Sequence, residues 1–220
     1  MHDPHSSSKL NTVFEDGWSQ LSYAVRRNDI DWIQQRIADV NVKERTDQTA
    51  FGLAFLYEHW DIVKLLVEKG ADVNAKSKGG STALGSASSA GQSDIVKLLV
   101  EKGADVNAIG SIGYTALGLA SSAGHWDIVK LLVEKGADVN AKSNDGSTAL
   151  ELASSAGHWD IVKLLIEKYA DVKATDSHGS TAIQTAATLP LVSFVSALFN
   201  PISKKRSGHS KGFSIYARDG

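Results

Sequence analysis

Cysteine is missing from all 220 residues. That excludes disulfides and any zinc site built on thiolates, and it suits a reducing compartment. Long apolar runs are missing as well: no stretch approaches the roughly 18–20 residues that span a bilayer. The opening MHDPHSSSKL has no apolar core of the kind a secretory signal carries. The expectation is a soluble, intracellular protein of the cytoplasm or nucleus. Neither sign of charge is in excess, with 23 basic and 25 acidic side chains giving a net charge of −2, so the molecule as a whole is not a basic nucleic-acid binder. Catalytic signatures are equally scarce. The chain has no Gly-rich phosphate loop, no H-E-x-x-H pair and no Cys nucleophile. Neither an enzyme nor a small-molecule substrate is expected, and no cofactor or metal.

What the chain does have is one sentence written four times. WDIVKLLVEKGADVNA begins at Trp60, SDIVKLLVEKGADVNA at Ser93, WDIVKLLVEKGADVNA at Trp126 and WDIVKLLIEKYADVKA at Trp159, each start 33 residues after the last. A fixed period of that length marks a stacked array rather than one globular core. Residues 77–109 serve as a reference unit. Ser77-Lys78-Gly79-Gly80-Ser81 reads as a turn. Thr82 is placed to cap a helix whose Leu84 and Ala87 share a face, and Gly91 ends it. A second helix starts near Ser93 or Asp94, carries the apolar stripe Ile95, Leu98 and Leu99 widened by Val96 and Val100, and stops at Gly103. Two helices this short are marginal in water alone, and they hide their apolar faces only against copies of themselves.

Turn, short helix, Gly, second helix and Gly-Ala-Asp-Val-Asn at period 33 resembles the ankyrin repeat, with the segment Gly-Ala-Asp-Val-Asn-Ala intact at Gly70, Gly103 and Gly136. The resemblance implies an all-α solenoid: stacked antiparallel helix pairs with projecting β-hairpin or turn fingers. It covers an array of about six units over residues 14–199, namely 14–43, 44–76, 77–109, 110–142, 143–175 and 176–199. A flexible N-terminus (1–13) and a basic flexible tail (200–220) flank it. The resemblance also implies a monomeric scaffold that binds a protein partner through its concave face and fingers.

The departures from the family pattern are informative. Its Thr-Pro-Leu-His becomes Thr82-Ala83-Leu84-Gly85 and four similar segments, so the helix-starting Pro and the His that ties finger to helix are gone throughout. Gly52, Gly85 and Gly118 read as interior helix glycines, each costing about 1 kcal/mol against Ala. Tyr169 stands where a left-handed glycine belongs. An array less stable than an idealised one is expected. The first and last units are degenerate, as end caps are, and Pro201 is placed to stop the last helix. His59, His125 and His158 match a Gly-His framework position and fall in separate layers, which argues against a shared metal.

Specificity belongs where the units disagree. In the fingers, Ile109, Ile112 and Tyr114 group apolar side chains where other units carry Lys, Ser and Asn, a candidate patch that competes with plain packing on the next finger. At the end of the first helices the pairs read Arg26/Arg27, Leu56/Tyr57, Ser89/Ala90, Ser122/Ala123 and Ser155/Ala156. The N-terminal end of this groove is basic and aromatic, and its Ser-Ala middle reads as small and flat. A partner is expected at the former. Trp60, Trp126 and Trp159 form a row broken by Ser93. Either each indole covers a neighbouring helix end, or the row is an exposed ladder with Trp126 and Trp159 available to a partner. The Asp/Lys/Glu columns such as Asp127/Lys130/Glu134 read as a solvated face with weak ion pairs.

In the tail, Lys204-Lys205-Arg206 forms a candidate targeting patch. It supports a competing reading: an effector or regulatory protein that reaches nucleic acid or an anionic membrane through residues 203–211, or acts in a host cytosol if the source is an intracellular bacterium. That reading demands steep salt dependence. The family resemblance also marks Asn74, Asn107 and Asn140 as candidate asparaginyl-hydroxylation sites, with Lys173 excluded.

Overall fold

The computed structural model describes residues 19–36, 40–41, 49–111 and 113–186. Five helix pairs follow one another: α1 (Gln20–Arg26) with α2 (Ile30–Arg36), α3 (Ala50–Leu56) with α4 (Trp60–Glu68), α5 (Ala83–Ser89) with α6 (Ser93–Glu101), α7 (Ala116–Ala123) with α8 (Trp126–Glu134), and α9 (Ala149–Ala156) with α10 (Trp159–Glu167). A sixth first helix, α11 (Ala182–Ala186), closes the described part. Extended structure there includes isolated antiparallel bridges at the finger bases, Lys76 with Thr82, Ile109 with Thr115 and Thr175 with Thr181. The architecture is the all-α stack that the repeat implied.

Each first helix begins the same way. Thr49, Thr82, Thr115 and Thr148 lie in extended backbone, and their hydroxyls accept from the N–H of Gly52, Gly85, Gly118 and Glu151. A cap of this kind contributes about 1 kcal/mol. Glu151 completes a reciprocal box, its carboxylate accepting from the Thr148 N–H at 2.7 Å. The glycines therefore occupy the first turn, not the helix interior, and the expected interior penalty does not apply in that form. Two of them serve packing: a Cβ on Gly85 would meet Leu119 Cδ1 at 3.3 Å, and one on Gly118 would meet Leu152 Cδ1 at 3.3 Å, whereas one on Gly52 would meet only Thr49 Oγ1 at 3.6 Å. Glycine lets the leucine of the following unit close over the helix start.

The second helices supply the core. Ile62, Leu66, Ile95, Leu99, Ile128, Leu132, Ile161 and Leu165 are buried along one continuous seam, each worth roughly 1.5–3 kcal/mol against exposure. Beside it lies a polar oddity. Ser88, Ser121 and Ser154 are fully buried, one per unit, and their hydroxyls have no hydrogen-bond partner; at the same place the second unit has Phe55, edge-on to Phe51 and Trp60.

An asparagine column ties the units at the loop side. Asn74 donates to the Gly103 carbonyl at 3.0 Å and accepts from the Asp105 N–H at 2.9 Å. Asn41 makes the same pair of bonds to Gly70 and Asp72, and Asn107 to Gly136 and Asp138. Gly70, Gly103 and Gly136 are left-handed, with φ of 90°, 87° and 88°. Tyr169 takes that conformation without being glycine, at φ 67° and 82% exposed. Before it, Asn140 keeps only the acceptor half of the clamp, from the Asp171 N–H at 2.8 Å. The charged columns behave differently from expectation: among the described residues they hold no ion pair within 4 Å. Lys130 instead lies over the Trp126 ring, 5.2 Å from its centroid.

Candidate functional site

The ends of the first helices follow two patterns. In units three and four the helix is ended by Gly91 (φ 73°) and Gly124 (φ 81°). The following unit lays a histidine on each. A Cβ on Gly91 would stand 2.6 Å from His125 Cε1, and one on Gly124 would stand 2.5 Å from His158 Cε1. The same rings reach back to the helix ends, His125 Nε2 donating to the Ser89 carbonyl and His158 Nε2 to the Ser122 carbonyl, both at 3.1 Å. Glycine is thus required twice, for the left-handed turn and for the ring that covers it.

Between units two and three both partners change. Glu58 ends α3 at φ 55°, a conformation that costs an ordinary side chain about 1 kcal/mol or more. Gln92 stands where the covering histidine would be, and Ser93 where the tryptophan would be. Leu56 is 64% exposed and Tyr57 40%, where later units carry Ser and Ala. The Tyr57 ring is steadied by stacking on His59, with centroids 5.8 Å apart.

Past this junction the groove is not flat. A cavity of about 420 Å³ runs from Glu58 across Ser86, Ser89 and Ala90 to Ser111 and Tyr114 in the next finger. The small side chains anticipated as a featureless stretch are its floor. Glu58 is the one charged residue in its lining, and it has no ion-pair partner among the described residues.

Tyr114 closes the finger end. Its hydroxyl donates to Asp145 Oδ2 of the following finger at 3.0 Å. Asp145 also accepts from the Ser143 hydroxyl and from the Ser147 N–H. Those bonds, the Ser143 hydroxyl foremost, lower its carboxyl to a pKa of about 2. Burial, and then the Asp145 carboxylate, raise the Tyr114 phenol above its ordinary value. The fingers are linked further by Lys142 Nζ on the Thr175 carbonyl (3.1 Å) and by the Ser177 N–H on the Asp145 carbonyl (2.8 Å).

The other expected site residues are scattered. Ile109 is 49% exposed at a finger base, and its carbonyl accepts from Lys76 Nζ at 3.1 Å. Ile112 lies outside the described residues, as do Lys204, Lys205 and Arg206. Arg26 and Arg27 are exposed at the end of α1. Arg27 also borders a smaller hollow with Tyr23, Asp29 and Trp32. Trp126 is 38% exposed under Lys130, whereas Trp60 and Trp159 pack half-buried against the core. Asn74, Asn107 and Asn140 have their side-chain amides engaged in the loop clamps.

Sequence reading missed Glu58 and Gln92. The signal was present as two columns, Asn28/Glu58/Gly91/Gly124/Gly157 and His59/Gln92/His125/His158, in which the junction of units two and three departs at both places. Among the described residues no cluster of His, Cys, Asp or Glu is arranged to hold a metal ion, and no helix is long and apolar enough to cross a membrane.

A family model described as Ankyrin repeats (3 copies) matches residues 21–110 and 109–176, well over half of the 220-residue chain. The chain belongs to the ankyrin repeat family. Domains of this family are generally protein–protein interaction modules and typically not enzymes. No curated protein matches the sequence.

Proposed function

We propose that this chain is a monomeric, non-enzymatic scaffold or adaptor, and that it binds a protein partner on the face formed by the first-helix ends and the fingers. The six-unit array over residues 14–199 is the binding body, and the tail at 200–220 is dispensable for it. Leu56 and Tyr57 form the main anchor, with Arg26 and Arg27 beyond them on one side. Ile109, Ile112 and Tyr114 extend the contact along the fingers, and Trp126 and Trp159 offer a secondary contact.

One observation carries this reading. Departures from the repeated framework collect at the junction of units two and three, where Leu56, Tyr57, Glu58, Gln92 and Ser93 all differ from their counterparts in units four and five, and Glu58 forms one end of the cavity. An exposed tyrosine with arginines nearby is the usual material of interface anchors, and Leu56 adds apolar area beside it.

The test is crosslinking mass spectrometry on the full-length chain in its native cell, repeated with Leu56→Ser/Tyr57→Ala, which copies the later units. The expected result is a partner crosslinked to the groove face and lost from the double variant, with the helical circular-dichroism signal retained. A partner captured equally well by the double variant overturns this placement. A partner lost only on deletion of residues 203–211, with steep salt dependence, supports the tail instead.

A further inference from the structure

We infer that the cavity beside Glu58 is a subsite for one basic side chain, lysine or arginine, presented by an extended segment of the partner protein, and that Glu58 selects it. The inference rests on the protein-binding reading above and specifies what that face takes.

The size sets the first limit. A volume of about 420 Å³ lies at the low end of ligand pockets, which run from roughly 300 to 1,000 Å³. The space suits a long side chain with its flanking backbone, and a packed helix is too wide for it.

Charge sets the second. Glu58 is the one ionisable carboxylate in the lining, exposed and without a cation among the described residues. The ammonium of Lys76, in the finger of unit two, is already committed to the Ile109 carbonyl. An acidic side chain would meet Glu58 as a like charge. An apolar one would strip water from Glu58 and from the hydroxyls of Ser86, Ser89 and Ser111 without replacing their bonds. A lysine or arginine satisfies the carboxylate and several of these hydroxyls at its head, while its methylene stem lies on Ala90, Leu119 and the Tyr114 ring.

The within-chain comparison sets the third. Gly91, Gly124 and Gly157 show the framework solution at this place, an unstrained left-handed glycine. Histidines cover the first two of them, and with the Gln92 exchange that covering is absent at Glu58. Glu58 departs from that solution, as Asn28 does in the first unit at φ 56°, and of the two it is Glu58 that lines the cavity. A carboxylate at the end of a cavity, in a costly backbone conformation and without a partner among the described residues, is placed to meet a ligand outside the chain.

The experiment is selection of a random linear nonapeptide display library on the full-length chain, followed by fluorescence-anisotropy titration of the recovered peptide. Lysine or arginine should be enriched at one fixed position. Glu58→Gln, which keeps the fold and the backbone strain, should weaken binding about fivefold, as an exposed ion pair does. The loss should shrink as salt is raised. Replacing the enriched residue by norleucine should cost the same in the native chain and nothing further in Glu58→Gln. Enrichment without a basic position, or affinity indifferent to Glu58→Gln, overturns the subsite. If such peptides still depend on Leu56 and Tyr57, the interaction reading survives. A library that yields no binder also removes the subsite, and the interaction reading falls with it only when crosslinking recovers no partner at this face.

Discussion

Between units three and four, and again between units four and five, a glycine ends the first helix and a histidine from the next unit lies on it and bonds to the helix end. Between units two and three the same places hold Glu58 and Gln92. The loop side of that junction is ordinary, with Asn74 making both of its bonds and the core seam unbroken. Only the groove side has been released from stacking. The difference separates two uses of one framework. Where the histidine clasps the glycine, the helix end is covered by the next unit and its carbonyl is bonded. Where the clasp is absent, Leu56, Tyr57 and Glu58 are exposed, and Glu58 forms one end of a cavity that runs on across unit three to the finger of unit four.

The largest effect should come from forcing one junction to imitate the other. Gly91→Glu places a side chain where the His125 ring lies and puts it at φ 73°. Strain and overpacking together should cost about 3 kcal/mol, read as a lowered urea midpoint. Adding His125→Gln, which completes the imitation, should recover about 1 kcal/mol of it through the coupling of two touching residues. Additive losses would mean that the two exchanges at the native junction are unrelated, and the comparison would fail. Next in size is the loop clamp. Asn107→Ala removes two inter-unit hydrogen bonds and should cost about 2 kcal/mol, whereas Asn140→Ala removes one and should cost about half as much. Equal losses at the two positions would show that the Tyr169 exchange leaves the clamp intact.

A third effect should have the opposite sign. Glu58→Gly gives the second junction the framework residue and relieves its left-handed strain, so stability should rise by about 0.5–1 kcal/mol. The same substitution should weaken peptide binding. A gain in stability with a loss of binding is the expected mark of a residue kept for function. Loss of both would make Glu58 part of the structure, its carboxylate serving a contact within the array.

The fold was legible in the sequence because the physics that builds it is repeated. Thr82 before an apolar run, Gly91 and Gly103 at helix ends, and the stripe from Ile95 to Leu99 each report a local requirement, and period 33 multiplies the signal. Gly85 and Gly118 read as costly interior glycines in the sequence, since packing of Leu119 and Leu152 on a neighbouring helix start is a contact across units that one unit cannot disclose. The groove was partly legible. Leu56 and Tyr57 stood out as large side chains in a Ser-Ala column. Glu58 did not, because a glutamate at a helix end looks ordinary until its φ is known to be positive and its counterparts are known to lie under histidine rings. The Ser-Ala stretch was taken for a flat surface because small side chains define a floor, and its depth depends on walls contributed by Glu58 and Tyr114 from either side.

The smallest effect concerns the finger wall of that cavity and carries a pH signature. Tyr114→Phe deletes the bond to Asp145 and should cost about 0.5 kcal/mol near neutral pH, as a bond between exposed groups does. Asp145 has a folded pKa of about 2, below its ordinary 3.8. Its bonds therefore stabilise the fold fully above that ordinary value and are lost as pH falls through it toward 2. The Tyr114 phenol has a folded pKa raised above 10.0. Its contribution is accordingly complete below that value and disappears as alkali ionises it opposite the Asp145 carboxylate. The native chain and Tyr114→Phe should then differ in urea midpoint on a plateau from about pH 4 to 10 and converge on the acid side as Asp145 protonates. On the alkaline side the native chain should fall below the variant, since only the native chain must ionise a phenol that is partly withdrawn from water and lies beside the Asp145 carboxylate. A constant difference across the whole range would show that Tyr114 acts through the packing of its ring on Gly118 and Leu119, and the finger wall would then be an apolar surface with no electrostatic link to the next unit.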